Sequence, residues 1–79
     1  MFQAKENIIQ DFIDGKESAF KEIYEKYVST LRYFGNKFLS DERLIEDILQ
    51  DTFVSLWVNR KKFNNELAIK SFLYTGVKN

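Results

Sequence analysis

From Ile8 to Val77 the large apolar residues recur at steps of three or four, never alternate over a useful stretch, and are interrupted by no proline. A period near 3.6 gathers such residues on one side of a helix, whereas a half-buried strand needs a period of two. The chain is therefore expected to fold from helices. The pattern is clearest over residues 44–60, read as one helix. At about 100° per residue, Ile45, Leu49, Thr52, Phe53 and Leu56 fall on one side, with Ile48 at its margin. Asp47, Gln50, Asp51, Val54, Trp57 and Val58 share an outward arc about 120° wide. A merely solvated face does not favour a tryptophan and two valines. The mixture suits a protein partner, with the aromatic ring supplying burial and the neighbouring charges setting register.

The flanking segments carry the same period. Phe2, Ile8, Ile9, Phe12 and Ile13 predict a first helix over about residues 5–14, closed by Gly15, which can take a positive φ. Phe20, Ile23, Tyr24, Tyr27, Val28, Leu31, Phe34 and Phe38 predict a second over about 17–38, with its aromatics as core. Gly35 lies inside that run and costs about 1 kcal/mol against alanine, so it marks a close helix contact or an early end. Ser40 and Asp41 are good N-cap residues, so the third helix starts near Asp41. Phe63, Asn64 and Asn65 break the period before Ile69, Phe72, Leu73 and Val77 resume it in a fourth helix from near Glu66. These segments predict an all-α fold, a compact antiparallel bundle of about four helices forming one domain over residues 1–79. Phe20, Tyr27, Leu31, Phe34, Ile48, Leu49, Phe53, Leu56 and Phe72 are expected to be substantially buried.

Composition narrows the function classes. Cysteine and histidine are absent, which removes the thiolate and the commonest zinc ligand and general base. Glu46 and Asp47 point in different directions on a helix, and the serines and threonines have no histidine to activate them. No catalytic activity, metal or cofactor is expected. No apolar run approaches about 18 residues and no signal sequence opens the chain, so a cytoplasmic protein without a membrane span is expected.

A formal charge of zero argues against strong unaided binding to a phosphate backbone, but it hides a polarity. Residues 1–40 are balanced. Over 41–58, Arg43 faces Asp41, Glu42, Glu46, Asp47 and Asp51, a net −4; over 59–79, Arg60, Lys61, Lys62, Lys70 and Lys78 face Glu66, a net +4. Acids at helix starts and bases at helix ends account for part of this, at about 0.3–1 kcal/mol each. Lys70, Tyr74 and Lys78 also align at intervals of four, setting a ring between two ammonium groups. Lysines on phosphates with a tyrosine stacked on an unpaired base is a single-strand platform. The same row also describes a solvated helix face with a snorkelling tyrosine.

Three stretches carry a family resemblance. The run EDILQDTFVSLW resembles the second conserved region of the sigma-70 family, especially its small extracytoplasmic-function members, with their acidic–Asp–x–x–Gln–acidic–x–Phe pattern. DGKESAFKEIYEKY is similar to the opening of that region, and KKFNNELAIKSFLYTGVKN to the stretch after its central helix. The resemblance implies a bacterial sigma factor. It implies docking on the clamp helices of the largest subunit of core RNA polymerase through Asp47, Gln50, Asp51, Val54 and Trp57. It implies contact with the non-template strand of the promoter −10 element, which is recognised and melted, through the stretch whose matching residues are Phe63, Phe72, Leu73, Tyr74 and Asn79. With the basic residues Lys61, Lys62, Lys70 and Lys78 read from charge and spacing, the expected DNA-binding set is Lys61, Lys62, Phe63, Lys70, Tyr74, Lys78 and Asn79. Within that set Phe63, Tyr74 and Asn79 are expected to hold a flipped base, the asparagine amide offering a donor and an acceptor side by side. An anti-sigma factor is a candidate regulatory partner. Phe72 stands where the family usually has tryptophan, Gly76 where a larger aliphatic is common, and Lys16 at an expected capping acid. The chain reads as a fragment, with the −35-reading helix-turn-helix domain absent. The alternative is a helical protein-interaction domain with no role in DNA reading.

Overall fold

Local stops and starts decide where each helix ends. A computed structural model describes the backbone of residues 4–78 and the side chains of residues 8–78; Phe2 and Asn79 lie outside the described residues. Helix α1 (Ala4–Ile13) is closed by Gly15 at φ +93°. The Gly15 N–H donates to the Phe12 carbonyl at 3.0 Å and the Lys16 N–H to the Asp11 carbonyl at 2.9 Å, the paired bonds of a Schellman motif. Lys16 then starts α2 (Glu17–Gly35) with no side-chain cap, its ammonium 3.4 Å from the Asp11 carboxylate. Helix α2 stops short of Phe38. The N–H groups of Phe38 and Leu39 both donate to the Gly35 carbonyl as the chain reverses.

Helix α3 (Glu42–Val58) begins where the carboxylate of Asp41 accepts from the N–H groups of Arg43 and Leu44, at 3.0 and 3.3 Å. Such a cap contributes about 1 kcal/mol. The helix closes at Val58 because Asn59 leaves helical geometry and its amide nitrogen donates back to the Ser55 carbonyl at 2.8 Å. A 3₁₀ turn (Arg60–Lys62) follows. Asn65 then caps α4 (Glu66–Lys78), accepting from the Ala68 N–H at 2.8 Å. No strand occurs among the described residues.

Helix α2 is the hub, touching α1, α3 and α4, while α3 also packs on α4. Its partners descend α3 as they rise along α2, from Phe20–Trp57 through Tyr24–Phe53 to Arg32–Glu46, so the two helices are antiparallel. Tyr27–Glu66 and Phe34–Tyr74 rise together, so α2 and α4 run parallel. Phe12, Leu31, Ile45, Leu56, Ile69 and Leu73 are fully buried between them. Each contributes about 1.5–3 kcal/mol of transfer free energy. The buried side of α3 is the predicted stripe of Ile45, Leu49, Thr52, Phe53 and Leu56.

Of the predicted core, Tyr27, Leu31, Leu49, Phe53 and Leu56 are buried, but Phe20, Phe34, Ile48 and Phe72 are only half-buried. The domain is 19 Å across its thinnest dimension, so residues at the margin of a helical stripe lie at its rim. Phe12 and Phe63 occupy interior positions instead.

Two glycines lie where helices meet. A Cβ on Gly35 would lie 3.4 Å from Val77 and 3.5 Å from Ile45, ordinary contact distances, so this last residue of α2 packs against α3 and α4 with room for a methyl group. A Cβ on Gly76 would lie 2.8 Å from the Thr52 methyl and 3.1 Å from its hydroxyl. That hydroxyl is held in place, donating to the Ile48 carbonyl at 2.7 Å. Gly76→Ala is expected to lower stability by about 1–3 kcal/mol through overpacking, despite alanine's better helix propensity. In a Thr52→Ser background, which removes the obstructing methyl, the loss should shrink. Urea titration of both pairs decides it, and equal losses in the two backgrounds would show that the Thr52 contact is not the cause.

Candidate functional site

Asp47, Gln50 and Asp51 are exposed on the outward side of α3, together with Val54 and Val58, the latter 70% exposed. Trp57 departs from the expected free anchor. Its ring is half-buried, with centroids 5.1 Å from Phe20 and 6.0 Å from Phe12. The wheel places Trp57 about 40° from buried Phe53, at the edge of the outward arc, and α1 and α2 cover that flank; a single helix carries no sign of them.

The ring forms one wall of a groove between α2 and α3. Glu17, Phe20, Lys21, Val54 and Trp57 line one end, and Tyr24, Gln50 and Phe53 the other. The face is thus two-sided, with the banks joined by the Tyr24–Phe53 ring contact at 4.9 Å. Lys21 and Tyr24 escaped the sequence reading because Tyr24 shares the apolar period of α2. Its position four residues after Phe20, facing Phe53, was the available signal. Glu46 anchors the far end, accepting two hydrogen bonds from the Arg32 guanidinium at 2.5 and 3.1 Å. Those bonds hold the Glu46 carboxyl below its ordinary range and raise Arg32 further.

Arg60, counted in the basic segment, is a structural latch. Its guanidinium lies 4.4 Å from the Trp57 ring centroid and donates to the Trp57 carbonyl at 3.1 Å. It also fills the space beside Gly15, where a Cβ would stand 3.1 Å from Nη2. The α1–α2 turn is thereby clamped to the end of α3. Lys61, Lys62, Lys70 and Lys78 remain exposed, and none of them forms an ion pair among the described residues.

On α4, Lys70 and Lys78 face solvent, but Tyr74 between them is half-buried, its ring edge-on to Phe34 at 4.9 Å. Phe63 is buried, 9% exposed, and set edge-to-face with Phe72 at 5.2 Å. The two rings rest on different neighbours, Phe63 on Phe72 and Tyr74 on Phe34, with Phe63 buried and Tyr74 partly open to solvent. Asn79 lies outside the described residues. The start of α4 is tied to α2 where the Tyr27 hydroxyl donates to a Glu66 carboxylate oxygen at 2.5 Å and the Lys26 ammonium reaches the same oxygen. Burial, then the hydrogen bond to Glu66, pushes the Tyr27 phenol above its ordinary range, so it remains a neutral donor.

Among the described residues, no group of three or more acidic, histidine or cysteine side chains is placed to hold a metal, and no helix is long and apolar enough to cross a membrane. A protein-family model described as Sigma-70 region 2 matches residues 23–79. No curated protein and no solved structure gives a significant match. The matched span begins one turn after Phe20 and takes in both outward faces, leaving α1 and the Gly15 turn outside it.

Proposed function

Because the chain belongs to the sigma-70 region 2 family, domains of transcription initiation factors rather than enzymes, we propose that its two outward faces divide the work of initiation. Family membership carries the coarse role, binding to RNA polymerase and recognition of the promoter −10 element. In our reading Asp47, Gln50, Asp51, Val54 and the exposed part of Trp57 dock on the clamp helices of the core enzyme. Lys61, Lys62, Lys70, Tyr74, Lys78 and Asn79, supported by Phe63, contact the opened non-template strand. The protein is of the extracytoplasmic-function type, acts in the cytoplasm, and uses residues 1–79 as one region 2 unit. An anti-sigma factor competing for the α3 face is the regulator this arrangement accommodates.

The single observation that carries the docking half is the α3 face itself. Three exposed polar groups lie beside an exposed valine and a tryptophan already fixed in place by Phe12, Phe20 and Arg60. A preordered aromatic loses little rotamer freedom on binding, and the acids around it orient the partner. The DNA half needs no cofactor, since unstacking a base costs only a few kcal/mol and is supplied by binding.

Capture of core RNA polymerase by this chain tests the reading. A Gln50→Ala, Asp51→Lys double variant is expected to lose capture while its melting temperature stays near that of the parent. Exposed substitutions of this kind change stability by about 0.5 kcal/mol or less. Undiminished capture by the folded variant would move the docking site off α3.

A further inference from the structure

Beyond the α4 row, three aromatic rings run in contact from half-buried Tyr74 on α4 to the exposed end of α2. Tyr74 meets Phe34 at 4.9 Å and Phe34 meets Phe38 at 5.1 Å, both edge-to-face. Phe38 ends the series 52% exposed. Tyr33, the residue before Phe34, is 67% exposed, with the Lys37 ammonium 5.2 Å from its ring centroid. Packing accounts for Phe34, which joins the core, but not for two large rings left in water at Tyr33 and Phe38.

Lys37, Lys70 and Lys78 are exposed. Of the acids nearest Phe38 in sequence, Asp41 is taken up in capping α3, accepting from the N–H groups of Arg43 and Leu44, and Glu42 lies with Glu46 around Arg32 and Asn36. A protein-docking patch is typically depleted in lysine. Duplex DNA would be held poorly by three cations, and nothing here projects into a groove. Exposed ring faces flanked by ammonium groups suit bases that are already unpaired.

We propose that Phe38, backed by Phe34 and continuous through it with Tyr74, is a second base-stacking position for single-stranded DNA. It would extend the α4 face across the end of α2. Tyr33 and Lys37 form its outer margin, the ammonium taking a backbone phosphate. The proposal rests on the α4 reading above, since it places neighbouring nucleotides of one strand on Tyr74 and Phe38.

The test is an NMR titration of the whole chain with a short single-stranded oligothymidine at low ionic strength, where phosphate contacts are strongest. Backbone resonances of Lys37 and Phe38 should shift along the same binding curve as those of Tyr74. Phe38→Ala should weaken binding about 5- to 150-fold, the value of one stacked base, and Phe38→Trp should retain it. Phe38→Leu keeps apolar bulk without a ring face and should resemble the alanine variant, which guards against a folding defect. Emission of Trp57, on the groove side of α3, confirms the fold of each variant.

Unchanged affinity in Phe38→Ala with weakened affinity in Tyr74→Ala would overturn this inference and leave the α4 reading standing. An oligonucleotide that shifts neither residue would overturn both. Concentration-dependent shifts at Tyr33 and Phe38 without DNA would assign the patch to a second copy of the chain and overturn the proposal as well.

Discussion

Leu49→Ala is expected to remove about 2–5 kcal/mol of stability, a large part of the total for a domain of this size. Leu49 is 2% exposed and lies beneath the α2–α3 groove within the core cluster, where truncation leaves a cavity that the surrounding packing fills only in part. Asp51→Lys, half a turn further along the same helix, should leave the urea midpoint almost unmoved and act on polymerase capture alone. The contrast separates core from surface within one element. If Leu49→Ala lost less than about 1 kcal/mol, the site would be collapsing freely and the stripe of α3 would not be the main hydrophobic interface.

Tyr74→Ala should produce the largest functional loss. Docking on polymerase holds the domain beside a partly opened strand at high effective concentration, so one stacked base, worth about 1–3 kcal/mol, becomes decisive. Promoter opening is expected to fall about 5- to 150-fold, while capture of core polymerase persists. Because the ring also leans on Phe34, Tyr74→Phe is the matching control; it keeps that contact and should retain most opening. Strand opening at a cognate promoter and core capture are measured on the same variants. Normal opening by Tyr74→Ala would return the Lys70, Tyr74, Lys78 row to a solvated helix face.

Helix phase was legible wherever one neighbour decided burial. The stripe of α3 follows from about 100° per residue because α2 and α4 together cover one side of it. Asp41 and Gly15 were legible as boundaries because each acts through its own backbone or its nearest amides. Phe63 was not, since it stands in a turn with no period and is buried by Phe72 from the next helix. The surroundings of Trp57 and Arg60 were not legible for the same reason. Trp57 pointed outward on an isolated wheel; Phe12 of α1 and Phe20 of α2 half-bury its ring, and Arg60 stacks on it from the turn that follows α3. The outward acids of α3 were recovered intact, because exposure needs no partner to be specified.

The Thr52–Gly76 contact has a mechanical consequence. The threonine methyl sits in the notch left by a missing side chain, and the larger groups next along that face of α4 are Phe72 and Leu73, four and three residues earlier. Axial slip of α4 would drive one of those larger groups into Thr52, so the pair behaves as a detent that resists shear while leaving separation as the easier mode of failure. A load applied to the outer side of α3 would therefore reach α4 as a displacement of the whole bundle, with little play between the two helices.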